Sequence, residues 1–193
     1  AAKAMGEEHV LCASAGCEGA ADEAAKLDGV TKVLCADDAA YGHDLAEPVT
    51  ALIQSIAGDY THIVAPSTAA SKNILPRVAA LLDVMVVSDV TAVIDPKTFE
   101  RPIYAGNAVQ TVQTADATVV ATIRTSTFDA AGDGGSALVE TIAAADNPGL
   151  SEWVKDAVAE SDRPELTSAG VVVSGGRGVG ADGDHIHLNL SHL

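Results

Sequence analysis

The residues with the sharpest chemical meaning lie late in the chain. Val171, Val172 and Val173 read as a buried strand over residues 170–173, and Ser174-Gly175-Gly176-Arg177-Gly178 follows at once. Glycines directly after a strand let backbone N–H groups approach a phosphate or a planar ring, and the arginine adds a permanent charge with a fork of donors. The same residues also fit a tight turn with a solvated arginine, and residue chemistry alone leaves both readings open. Gly178, Gly180 and Gly183 match G-x-G-x-x-G, but a dinucleotide fingerprint needs a following helix and an acidic residue about 20 positions on. Too few residues remain after Gly183 for either.

Metal and nucleophile chemistry is less well supported. His185 and His187 alternate with Ile186 and Leu188, and His192 follows, but no carboxylate or cysteine stands at a matching ligand spacing, so these read as a tail. His9, His43 and His62 are scattered and read as structural. Cys12, Cys17 and Cys35 form no zinc pattern and read as buried or idle thiols. There is no G-x-S-x-G, Walker A or H-E-x-x-H motif.

The elements that would position these residues follow from periodicity. Residues 1–10, AAKAMGEEHV, read as the end of a helix running through Gly6 into a strand. Strands are expected over residues 9–13, 31–36 and 62–65, with a short helix over 19–27. Leu45, Val49, Leu52, Ile53 and Ile56 recur at helical spacing, Asp44 with Glu47 resembles a capping box, and Gly58 fits the stop. A further helix is expected over 68–82, kinked or restarted at Pro76. Residues 85–94, 102–114 and 118–124 read as strands without helices between them. Strand–helix alternation followed by bare strands predicts an α/β, three-layer domain with a mainly parallel sheet and some antiparallel strands. The small, acidic, Gly-rich stretch after Phe128 reads as a linker. Residues 151–160 read as a short helix carrying the single tryptophan.

Composition narrows the function classes. Of 193 residues, 48% are apolar but only 3% aromatic, so the core must be built from Ala, Val, Leu and Ile. A formal charge of −16 disfavours nucleic acid and anionic lipid as partners. No apolar run reaches the about 18 residues of a membrane-spanning helix. Three cysteines without a framework point to reduced thiols. The sequence does not open on methionine or a signal peptide, so it reads as a fragment or a processed chain.

Several collinear stretches resemble the alpha subunit of electron transfer flavoproteins. These are SDRPELTSAGVVVSGGRG (residues 161–178), NILPRVAALLDV (73–84), SDVTAV (88–93), RPIYAGNAVQTV (101–112) and IRTSTFDAA (123–131). The resemblance covers about residues 1–179. It implies a subunit that pairs with a beta subunit. It also implies a first domain akin to that subunit and a second, α/β domain that binds FAD. Such a protein is an electron carrier rather than an enzyme. It relays electrons from acyl-CoA and related dehydrogenases of fatty acid β-oxidation toward a membrane quinone reductase, with AMP held in the beta subunit. The family's flavin-contacting arginine falls on Arg177, with Gly176 and Gly178 shaping its loop. A guanidinium there would favour anionic reduced flavin.

The implied division is residues 1–128 as the first domain, 129–168 as a linker with a short helix, and 169–193 as the truncated start of the FAD-binding domain. The family's flavin domain continues well past the loop, whereas residues 181–193, ADGDHIHLNLSHL, depart from its pattern. The implied location is the bacterial cytoplasm or the mitochondrial matrix. Two other readings stand beside this one: a non-redox module that binds a nucleotide such as AMP, and a structural partner domain.

Overall fold

The computed structural model describes residues 1–157 and 169–172. The elements below all lie in one compact unit, Ala1–Val154; a second unit comprises Lys155–Leu193.

The chain alternates β1 (Glu8–Ser14), α1 (Glu18–Ala24), β2 (Val30–Asp37), α2 (Ala46–Ile56), β3 (His62–Pro66), α3 (Ala69–Leu81) and β4 (Val86–Val90). Then come β5 (Ala92–Asp95), β6 (Thr98–Ile103), β7 (Ala108–Gln113), β8 (Val119–Ile123) and β9 (Leu138–Thr141). The strands form three three-stranded sheets. Two are parallel, in the orders β1-β2-β9 and β3-β8-β4, and β5-β6-β7 is antiparallel.

Side-chain alternation shows why helices cover both faces. Val10, Cys12, Val33 and Cys35 pack with Ala21 and Ala25 of α1. Leu11, Ala13 and Ala36 point the other way, toward Val49 and Leu52 of α2. In β8, Val120 packs with Leu75, Val78 and Ala79 of α3, while Val119, Ala121 and Ile123 cluster with Phe99 of β6. Ile53 and Ile74 belong to both the α2 and α3 clusters. The helices α2 and α3 thus cover one side of the parallel strands, and α1 with the antiparallel sheet covers the other. This is the α/β architecture with parallel and some antiparallel strands that the alternation predicts.

β1 and β3 are not hydrogen-bonded to each other. A largely apolar cavity of about 480 Å³ separates them, roofed by Val49, Ile53 and Ile74.

Several local expectations need correction. The opening residues form a 3-10 turn, Ala2–Ala4, not a helix end. The helix α2 has Leu45 at its N-cap without a side-chain cap, because Asp44 adopts a left-handed backbone (φ 51°) and Pro48 offers no N–H to cap. Pro76 lies inside α3 without dividing it, and Thr68 caps that helix by accepting from Ser71 N. Residues 85–94 are two strands in different sheets, parted at Thr91, two residues after Asp89 turns left-handed (φ 61°). Residues 102–114 turn back at Tyr104–Gly106, where three successive residues have positive φ (50°, 55° and 90°). β8, read with the late strands, returns to the centre of a parallel sheet.

The stretch read as a linker is also built into the fold. β9 pairs in parallel with β2. Ahead of it, Gly134 N and Gly135 N both donate to Lys26 O, at 2.9 and 2.8 Å. A Cβ at Gly135 would lie 2.1 Å from Leu27 O, so only glycine permits this approach. Residues 151–157 contain no helix. Two of them are held by side chains instead: Ser151 Oγ donates to Glu47 Oε2 at 2.6 Å, and Trp153 stacks on His43 with centroids 4.0 Å apart. Residues 158–160 of that expected helix lie outside the described residues.

Candidate functional site

A polar cleft of about 460 Å³ lies where β3, β4 and β8 end, lined by Pro66, Ser67, Thr68, Lys72, Asp89, Arg124, Thr125 and Ser126. The carboxyl ends of parallel strands are where open α/β sheets bind ligands, because loops diverge there and helix N-termini point inward.

The cleft is organised around one ion pair. Arg124 Nε donates to Asp89 Oδ1 at 3.1 Å, and Nη2 donates to Oδ2, a bidentate fork. Asp89 is held by its backbone as well: its N–H donates to Thr122 Oγ1 at 2.8 Å, and that threonine is fully buried in β8. Its left-handed φ turns the carboxylate from β4 toward the chain leaving β8. Arg124 N donates to Val90 O at 2.8 Å, and Ser67 N donates to Ile123 O at 2.7 Å, so the end of β8 is tied to both neighbours.

The Arg124 hydrogen bonds hold the Asp89 carboxyl below the usual carboxylate range, against the opposing effect of burial. The same bond raises Arg124. Asp89 is therefore locked as an anion and carries no proton near neutrality. This arrangement is suited to orienting and recognising polar groups rather than to transferring protons.

The other candidates resolve individually. Cys17 Sγ and Cys35 Sγ lie 3.5 Å apart, both buried, and Cys12 is half-buried. Burial pushes the Cys35 thiol up to about 11 and also raises Cys12, which removes nucleophilic thiolate at neutral pH. His9 Nδ1 shares a hydrogen bond with Tyr60 Oη at 2.9 Å, His62 Nε2 meets Pro96 O at 2.7 Å, and His43 stacks on Trp153. Among the described residues no three His, Cys, Asp or Glu side chains gather as a metal site, and no helix is long and apolar enough to cross a membrane.

Arg177, Gly176, Gly178, His185, His187 and His192 lie outside the described residues. The described lead-in to the glycine loop is not the expected buried strand: Val171 and Val172 are 68% and 53% exposed. A built flavin cradle is thus not found among the described residues. Asp89, Arg124 and Lys72 were not singled out from the sequence. Asp89 and Arg124 stand 35 positions apart and meet only through the pairing of β4 with β8.

Parallel strands between helices, an antiparallel arm and a polar cleft at the strand ends define an α/β domain of the three-layer class. Within that class, the chain belongs to the electron transfer flavoprotein family: the electron transfer flavoprotein domain matches residues 1–147. It is 66% identical over 181 residues to the electron transfer flavoprotein subunit alpha of Paracoccus denitrificans, covering 94% of this chain and 59% of that protein. It is 52% identical over 190 residues to the Pseudomonas aeruginosa subunit alpha, covering 97% of this chain and 61% of that one. A mitochondrial subunit alpha from Dictyostelium discoideum is 47% identical over 188 residues, with 88% and 52% covered. The chain thus spans about three-fifths of the length of its bacterial relatives, 59% and 61%.

Proposed function

We propose that this chain is the first-domain portion of an electron transfer flavoprotein alpha subunit, an electron carrier that works as a heterodimer with a beta subunit. The observation that carries this reading is the collinear match to alpha subunits over 92–97% of the chain in three bacterial relatives. On this reading the first domain takes in the compact unit Ala1–Val154, and residues 169–193 open the flavin domain. FAD supplies the electron-carrying chemistry when bound. This chain's contribution is Arg177, whose guanidinium would orient against the cofactor, with Gly176 and Gly178 keeping side chains out of its approach. Donors are acyl-CoA and related dehydrogenases, the acceptor is a membrane quinone reductase, and the location is the bacterial cytoplasm or the mitochondrial matrix.

The test is made in the complete alpha subunit co-expressed with its beta subunit. Arg177→Ala is expected to lower the flavin midpoint potential or to weaken FAD retention, by the about 1–3 kcal/mol of a charge-assisted contact. Arg177→Lys is expected to restore part of the charge effect without the planar fork. Unchanged potential and unchanged flavin content in the alanine variant reject the assigned role.

A further inference from the structure

We infer that the polar cleft at the ends of β3, β4 and β8 is a binding site for a phosphate group, either free phosphate or a phosphate monoester. The inference goes beyond the flavin role, since it concerns a different part of the chain and no residue of the 174–178 loop.

A guanidinium has five N–H donors and no acceptor. Two of those of Arg124 are engaged by Asp89, and the others remain for a ligand. Lys72, exposed on the first turns of α3, adds an ammonium; among the described residues it makes no ion pair, although its charge is felt at Asp89. Thr125 and Ser126 bring exposed hydroxyls from the turn after β8. Ser67 Oγ lines the cleft, is shielded from solvent, and stands beside Asp89, whose carboxyl it helps to hold in the charged form.

Against these donors the cleft offers one carboxylate, and the Arg124 fork already occupies both of its oxygens. Its side-chain charges are Lys72, Arg124 and Asp89, a net of one positive charge in a chain of formal charge −16. The thirteen-residue helix α3 opens at the same place and adds the positive end of its dipole. A donor-rich, locally cationic cleft is matched by an anion with several acceptor oxygens. Tetrahedral phosphate supplies those oxygens, and about 460 Å³ leaves room for the group that carries it. The Asp89–Arg124 pair has a positioning role: it fixes the guanidinium plane so that its unused edge faces the cleft.

The test uses the 193-residue chain with three probes at low ionic strength: inorganic phosphate, AMP and adenosine. Binding is read by amide chemical shifts and by calorimetry. Phosphate and AMP are expected to shift the amides of Ser67, Ala69, Ala70, Thr125 and Ser126. Adenosine, which lacks the phosphate, is expected to bind at least about tenfold more weakly than AMP. Phosphate matching AMP in affinity identifies the free ion as the ligand class, whereas AMP binding more tightly identifies a monoester. Lys72→Ala, an exposed change that leaves the core intact, should weaken both anions about tenfold, and Lys72→Arg should retain them. Raising salt should weaken binding. The inference is overturned if adenosine binds as well as AMP, if the shifts fall elsewhere, if Lys72→Ala binds both anions unchanged, or if neither anion binds.

Discussion

β8 (VVATI) and β3 (HIVAP) are neighbours that each carry a central apolar run, yet they live in different environments. All five residues of β8 are buried, with β3 on one side and β4 on the other. β3 has β8 on one side only, and four of its five residues are half-buried with Pro66 exposed; every residue of β1 is half-buried as well. The about 480 Å³ cavity lies along the unpaired sides of β1 and β3. Apolar composition makes a segment a strand, but the number of strands pairing with it sets how much of that apolar surface leaves water.

Phe99 is the largest fully buried side chain of the cluster between β8 and the antiparallel sheet. Phe99→Ala is expected to destabilise by about 3–5 kcal/mol, read as a fall in the urea midpoint. A wild-type-like midpoint would mean that the antiparallel sheet does not depend on this contact.

A matched pair of substitutions sharpens the contrast. Val120→Ala in β8 removes fully buried methyl groups and is expected to cost about 2 kcal/mol. Val64→Ala in β3, where the side chain is half-buried, is expected to cost less than about 1 kcal/mol. Equal costs would show that β3 is as well covered in solution as β8.

The smallest expected effect is at Asp89. Asn keeps the shape and tolerates the left-handed backbone, so Asp89→Asn removes charge without adding strain. The folded carboxyl is held below its ordinary value by Arg124. The pair's stabilisation is therefore present above the unfolded carboxyl pKa of about 3.9 and is lost as the pH falls through the folded value. The variant's denaturation midpoint should lie below the wild type's at pH 7, and the gap should close only as the pH falls below about 4. A gap independent of pH would assign the effect to packing rather than charge.

Much of the first half of the fold was legible in the sequence. Residues 9–13, 31–36 and 62–65 all fall within observed strands, and the helices over 19–27 and 68–82 appear with small shifts in their ends. These elements have local causes: apolar runs bounded by Gly or Pro, and helical spacing of Leu and Ile. The later strands were less legible because their breaks are backbone events. Asp89, Tyr104 and Ala105 adopt positive φ without being glycine, and nothing in their composition announces it. The cleft was not legible, since Asp89, Arg124 and Lys72 come from three separate elements. Of the sequence-derived site residues, Arg177, Gly176 and Gly178 lie outside the described residues and rest on resemblance alone.

By itself the sequence determined the alternation of strands and helices, the α/β class and membership of the family. Each depends on local pattern or on collinear residue identity. Tertiary structure alone decided that β8 lies between β3 and β4, that the Gly-rich stretch near Gly135 docks against the turn just after α1 and leads into β9, and that Arg124 finds Asp89. Those outcomes depend on which strand edges meet across long sequence separations. Pairing energy accrues only when distant partners come together, and a single segment carries no record of its partner.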